Sequence, residues 1–258
     1  MRAGRVVDRA GQCFRCSAND QAAWISLGGS GVAEARASFD HPIFTESIRL
    51  ICSALADPSA PHAFDLEVWS PVEQDVLLRL IHSSGDLSLA KDVRFSEGAC
   101  VAGLQALAAG AAILTDTAMA AAAVTPMARR TFRNAVHSVL DWAPPQAPEG
   151  STRAAAGMAQ ALQAHPGAVV LIGSAPTALE LLLEQVAQGQ TPPPALVIGM
   201  PVGFVGVAES KRHLAQCALP QIRLEGSRGG AGLVGAAANA LLRRAWLDRF
   251  PPVQTDRS

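Results

Sequence analysis

The sequence predicts an α/β protein: a five-stranded, mostly parallel sheet flanked by helices, with a helical segment ahead of it. Three observations predict it. Five short apolar runs alternate with longer stretches whose apolar residues recur at helical spacing, the pattern of strands joined by crossover helices. The runs carry almost no polar residues, as expected of strands covered on both faces. The chain has 258 residues, 49% of them apolar, enough for one substantial core.

Residues 1–40 mix Arg2, Arg5, Arg9 and Arg15 with Gly, Ser and Asp and keep no period. They are expected to form a poorly ordered extension before a domain over 41–245, with a tail over 246–258. Ile43–Leu55 reads as a helix. The next helix is better marked: Ser70 can cap it, Pro71 suits its first turn, Glu73 completes a capping box and Gly85 can end it. His82 then lies in its last turn, with Arg79 on the same face. A further helix is expected from Ser96 to Gly110. After it, strands are expected at Ala112–Thr115, Ala135–Leu140, Ala168–Ile172, Ala195–Gly199 and Gln221–Leu224. The helices expected between and after them are Thr117–Ala123, Thr152–Ala164, Pro176–Gln188, Val207–Ala218 and Ala231–Arg243.

Charge and cysteine content narrow the functional classes. Lys and Arg total 21 and Asp and Glu 22. A balance so near neutral argues against nucleic acid or an anionic membrane as partner. No apolar run reaches the roughly 18 residues of a membrane helix, and Met1–Asp40 has no apolar signal core. With five cysteines, an odd number, the chain is expected to be cytoplasmic. Cys13 and Cys16 form a CxxC pair without two further ligands at zinc spacing, so they read as free thiols and no metal site is expected.

In an open α/β sheet, ligands bind beyond the carboxyl ends of the strands. Three such ends lead into small, special residues: Gly173–Thr177, Gly199–Gly206 and Gly226–Gly232. Glycines there let the backbone approach a ligand, and the helix starts behind them offer N–H groups to anions. The charged residues nearby are mostly cationic: Arg153, Lys211 and Arg228. Each alone reads as a solvated charge; together they suit a ligand with several carboxylates. Asp86, Asp92 and Asp116 read as turn or cap residues. No GxxxxGK[ST], no GxGxxG after a first strand, no GxSxG and no HExxH occurs. From the residues alone, the reading stops at an α/β enzyme for a small polyanion.

The segment Pro194–Lys211 (PALVIGMPVGFVGVAESK) resembles the signature of precorrin-8X methylmutases. Ile172–Leu179 resembles that family's IGNAPTAL segment, with Ser174 in place of asparagine. Ser151-Thr152-Arg153 resembles its NTRSA segment, with Ser151 for asparagine and Ala154 for serine. Leu80–Gly85 is similar to its histidine segment and Gly226–Gly230 to its glycine-rich loop. The resemblance covers about residues 41 to 245 and implies a flavodoxin-like sheet, a homodimer, and a tetrapyrrole substrate. It further implies migration of a methyl group from carbon 11 to carbon 12 of the macrocycle, with no cofactor. It implies that His82 protonates the macrocycle and that Ser47, within Ile43–Ser47, and Arg79 contact the substrate. Arg153, Thr177, Gly199, Lys211, Arg228, Gly229 and Gly230 complete the expected binding set. A corrinoid-binding protein without turnover and a nucleotide-dependent α/β transferase are the alternatives; the first would hold the product tightly without needing an ionisable His82, and the second would respond to a nucleotide.

Overall fold

A computed structural model describes residues 39–251. The expectations for residues 1–38, Cys13 and Cys16 among them, and for 252–258 lie outside the described residues.

Among the described residues are eight α-helices and six strands: α1 Pro42–Leu55, α2 Pro71–Ser84, β1 Val93–Phe95, α3 Ala99–Ala108, β2 Ile113–Thr115, α4 Ala118–Arg130, β3 Val136–Ser138, α5 Arg153–Ala164, β4 Val169–Ile172, α6 Pro176–Ala187, β5 Leu196–Gly199, α7 Val207–Gln216, β6 Gln221–Leu224 and α8 Ala231–Arg249. The strand order is β1-β6-β5-β4-β2-β3. β2 to β6 pair in parallel, in the doubly wound order of a flavodoxin-like sheet.

The alternation along each strand sorts the core into two layers. Val169 and Leu171 join the layer built with α2, α3, α4 and α8, while Val170 and Ile172 join the layer under α5, α6 and α7. Helix α1 lies outermost, against α2. The chain reverses its winding between β2 and β4, so α4 and α6 leave these neighbouring strands for opposite faces. The crevice of such a fold opens there.

Several local expectations are corrected. The sheet has six strands: β1 adds an antiparallel edge to β6, with Arg94 opposite Arg223. Helix α3 begins at Ala99, not Ser96, because Ser96 extends the sheet edge. Its N–H donates to Gln221 O at 3.0 Å, and its Oγ accepts from Gln221 N at 2.9 Å. Helix α4 runs on to Arg130 with Pro126 inside it, past the stop expected at Ala123. Helix α8 reaches Arg249, past Arg243.

Candidate functional site

The histidine end is built by α1 and α2. Glu73 reaches back to accept from the Ser70 N–H at 2.8 Å and its hydroxyl at 2.6 Å, which starts α2. Gly85, in the left-handed region at φ 69°, ends it and donates to Ile81 O. His82 therefore sits in the last turn, and its Nδ1 lies 2.7 Å from Ser47 Oγ on α1. Phe44, one turn before Ser47, meets the imidazole edge-on at 5.0 Å. The Arg79 guanidinium lies 4.6 Å from the centre of the same Phe44 ring.

The residues expected to give the proton and contact substrate, His82, Ser47 and Arg79, are thus gathered around one phenyl ring. Burial, and secondarily the charge of Arg79, hold the His82 pKa below its ordinary value. Arg79 is half-buried, and among the described residues no carboxylate forms an ion pair with it. Phe44 and Arg79 also line a cleft of about 530 Å³ between α1, α2 and α8, walled by Ile48, Leu78, Ala240 and Arg243. His82 adjoins this cleft through Phe44.

The strand-end rim is built differently from what its composition suggests. Lys211 is 1% exposed and faces inward. Its Nζ donates to Gly226 O at 2.8 Å and Arg228 O at 2.6 Å, so the ammonium braces the loop before α8. Burial lowers its pKa to about 8. Arg228 donates to Asp86 at 2.6 Å and Ser88 at 2.7 Å and pairs with Asp92. It ties the same loop to the turn that follows His82. Asp86 still caps its turn by accepting from Ser88 N, but Asp86 and Asp92 are also the counter-ions of Arg228. Gly229 has no room for a side chain because a Cβ would lie 1.9 Å from Met200 O. Gly230, at φ 124°, donates to Met200 O at 2.9 Å. The close backbone approach at this loop is to its neighbouring loop. Gly199 is likewise covered, by Leu214 from α7.

Across the switch point the rim is more open. Thr152 caps α5, and its hydroxyl lies 2.8 Å from that of Thr177 in the first turn of α6. Arg153 is exposed beside them, with Nε donating to Pro144 O at 2.9 Å. Ser174, where the resembling segment has asparagine, is exposed between the two helix starts. The arrangement therefore brings His82, Ser47 and Arg79 together, and Arg153 with Thr177. Lys211 braces the loop before α8 from inside, and Arg228 ties that loop to the turn after His82.

Two participants carry no clear local signal. Phe44 lies in an amphipathic helix where any aromatic could be core. Asp116, read as a turn residue, is fully buried and accepts three backbone N–H groups at once. Its only sequence sign is its place immediately after β2.

With this geometry in place, the comparisons with known proteins are specific. Residues 42–244 match the model of the family described as precorrin-8X methylmutase. A precorrin-8X methylmutase of Pseudomonas aeruginosa is 46% identical over 173 residues, which cover 65% of this chain and 82% of that protein. A cobalt-precorrin-8 methylmutase of Synechocystis sp. is 35% identical over 221 residues, or 80% of this chain and 97% of that protein. A crystal structure of precorrin-8X methyl mutase from Thermus thermophilus superimposes with a TM-score of 0.67 at 42% identity, covering 80% of this chain and 98% of that one.

Proposed function

This chain belongs to the precorrin-8X methylmutase family, isomerases of cobalamin biosynthesis that shift a methyl group within one corrin precursor, and from that premise we propose that His82 is the proton donor of the shift. The substrate is precorrin-8X or its cobalt counterpart, and the methyl group moves from carbon 11 to carbon 12. An isomerisation consumes nothing, so a proton lent to the macrocycle must return within the turnover. An imidazole suits that exchange.

The observation that carries the proposal is the Ser47–His82 contact at 2.7 Å. With Nδ1 occupied by the Ser47 hydroxyl, Nε2 is the ring atom left to face a ligand. Burial, and secondarily Arg79, disfavour the imidazolium. Substrate carboxylates arriving at Arg79 offset that charge and favour the imidazolium, so the acid forms when the ligand is bound. Thr177 and Arg153 hold further carboxylates at the rim. Lys211, Arg228, Gly199, Gly229 and Gly230 shape the loops there.

We also propose that the working protein is a cytoplasmic homodimer. Ile43 and Leu50 of α1 are 71% and 54% exposed, an apolar face suited to a second copy. Light scattering that returns the mass of one chain counts against the dimer.

Two measurements test the reading. Hydrogenobyrinate, the metal-free product, is expected to change its visible spectrum when bound. His82→Ala is expected to fold and still bind it, while turnover falls at least about a hundredfold, within the range for loss of a general acid. His82→Asn is expected to fail alike, since an amide cannot donate a proton at usable acidity. Near-normal turnover in either variant sinks the assignment.

A further inference from the structure

Asp116 lies directly after β2, at the switch point, and is 0% exposed. Its backbone N–H donates to Leu171 O on β4 at 3.1 Å. Its Oδ2 accepts from three consecutive N–H groups, Gly173 at 3.0 Å, Ser174 at 2.5 Å and Ala175 at 2.8 Å. These are the amides ahead of α6, whose first turn begins at Pro176. In an open α/β sheet such amides commonly receive a bound anion. Here the protein's own carboxylate occupies them.

The loop that Asp116 holds is fixed on its other side too. Gly173 abuts the start of α8, where a Cβ would lie 2.7 Å from Ala231 N. Between these two restraints, Ser174 is exposed on the rim, and Thr177 stands three residues on against Thr152. The second carboxylate oxygen, Oδ1, is buried with no hydrogen-bond partner. Leaving a buried polar atom unpaired is costly, so the side chain is not a neutral filler. Burial raises its pKa while the three amides oppose that rise.

We infer that Asp116 is a positioning residue of the methylmutase site: it fills the amide cradle ahead of α6, denies it to a substrate carboxylate, and sets Ser174 and Thr177 at the rim that receives the corrin periphery. The inference rests on the isomerase reading above. A consequence is that substrate anions are recognised by side chains such as Arg79, Arg153 and Thr177, not by the backbone amides of residues 173–175.

Asp116→Ala opens a void of carboxylate size lined by three N–H donors, and formate is the probe that fits it. The variant is expected to bind hydrogenobyrinate about tenfold more weakly, the loss of roughly one charge-assisted hydrogen bond, and to raise KM more than it lowers kcat. Formate is expected to raise its Tm and restore much of its affinity, where sodium chloride at equal ionic strength does neither. Asp116→Asn keeps the shape and one accepting oxygen, and covers the case in which the alanine variant does not fold. It is expected to fold and show a smaller rise in KM.

A folded variant with lowered Tm but unchanged KM and product affinity makes Asp116 a strut and overturns the inference. So does formate without effect on the alanine variant. Wild-type protein that leaves the hydrogenobyrinate spectrum unchanged instead overturns the isomerase reading, while the formate effect on Tm still reports on the cradle.

Discussion

His82 has two controls on its charge, burial and the guanidinium of Arg79, and both lower its pKa. In the free enzyme the imidazolium of this proposed acid is therefore favoured only as pH falls below the ordinary histidine value of about 6.5. The dependence of kcat/KM on pH, which reports free-enzyme groups, is expected to rise toward acid with its half-maximum below 6.5. Removing the positive charge in Arg79→Gln relieves one of the two controls, so the half-maximum is expected to move to higher pH even though substrate binding weakens. An inflection that stays in place would mean that Arg79 does not act on the acid. His82 and Gly85 were readable together, because a helix with a cap, a proline and a glycine stop fixes its last turn. Ser47 was reached only through resemblance. Its partner is 35 residues away, and no local pattern announces a contact between two helices.

Lys211 and Arg228 show how a basic, glycine-rich loop can mislead at the scale of an element. Composition suggested cations waiting for a polyanion. In the structure one cation braces the loop from inside and the other spans 142 residues to Asp86. Such pairing is invisible locally because an arginine and a carboxylate carry the same letters whether they meet each other or a ligand. The braced loop has a measurable signature. Burial takes the Lys211 pKa from the ordinary lysine value of 10.5 to about 8, so between those pH values the unfolded chain binds more protons and stability rises with pH. The rise from this group is on the order of 3 kcal/mol at most, and the neutral amine still has two N–H donors for two carbonyls. Lys211→Met is expected to remove the rise and to leave both carbonyls unsatisfied. The check is the urea midpoint across that window, where the absence of tyrosine simplifies titration. Equal slopes in both proteins would mean that Lys211 is solvated.

The whole molecule was legible in its parallel part and not at its edges. Five apolar runs between periodic helices carry their own signal, and their order matches the doubly wound sheet. The three residues of β1 contain one arginine and have no room for a period, so only pairing with β6 defines them. The start of the fold is a similar case. Phe39 and Asp40 fall inside the stretch that looks aperiodic, yet both hold the body. The Asp40 carboxylate accepts from Arg243 Nε at 2.7 Å and from its Nη2, with each side chain only 19% exposed. The Arg130 guanidinium lies 4.0 Å from the centre of the Phe39 ring. Phe39 and Asp40 therefore belong to the body. A chain starting at Ala37 is expected to keep the full-length Tm, whereas one starting at His41 leaves Arg243 poorly solvated and without its carboxylate. Losing such a charge-assisted pair costs about 1.5–3 kcal/mol, or roughly 3–12 °C for a protein of this size. Asp40→Asn in the full chain is expected to reproduce a large part of that loss, because it removes the charge and keeps the shape. Equal Tm values for the two truncations would show that the Arg243 pair is dispensable. A large drop already at Ala37 would show that residues 1–36 contribute contacts of their own.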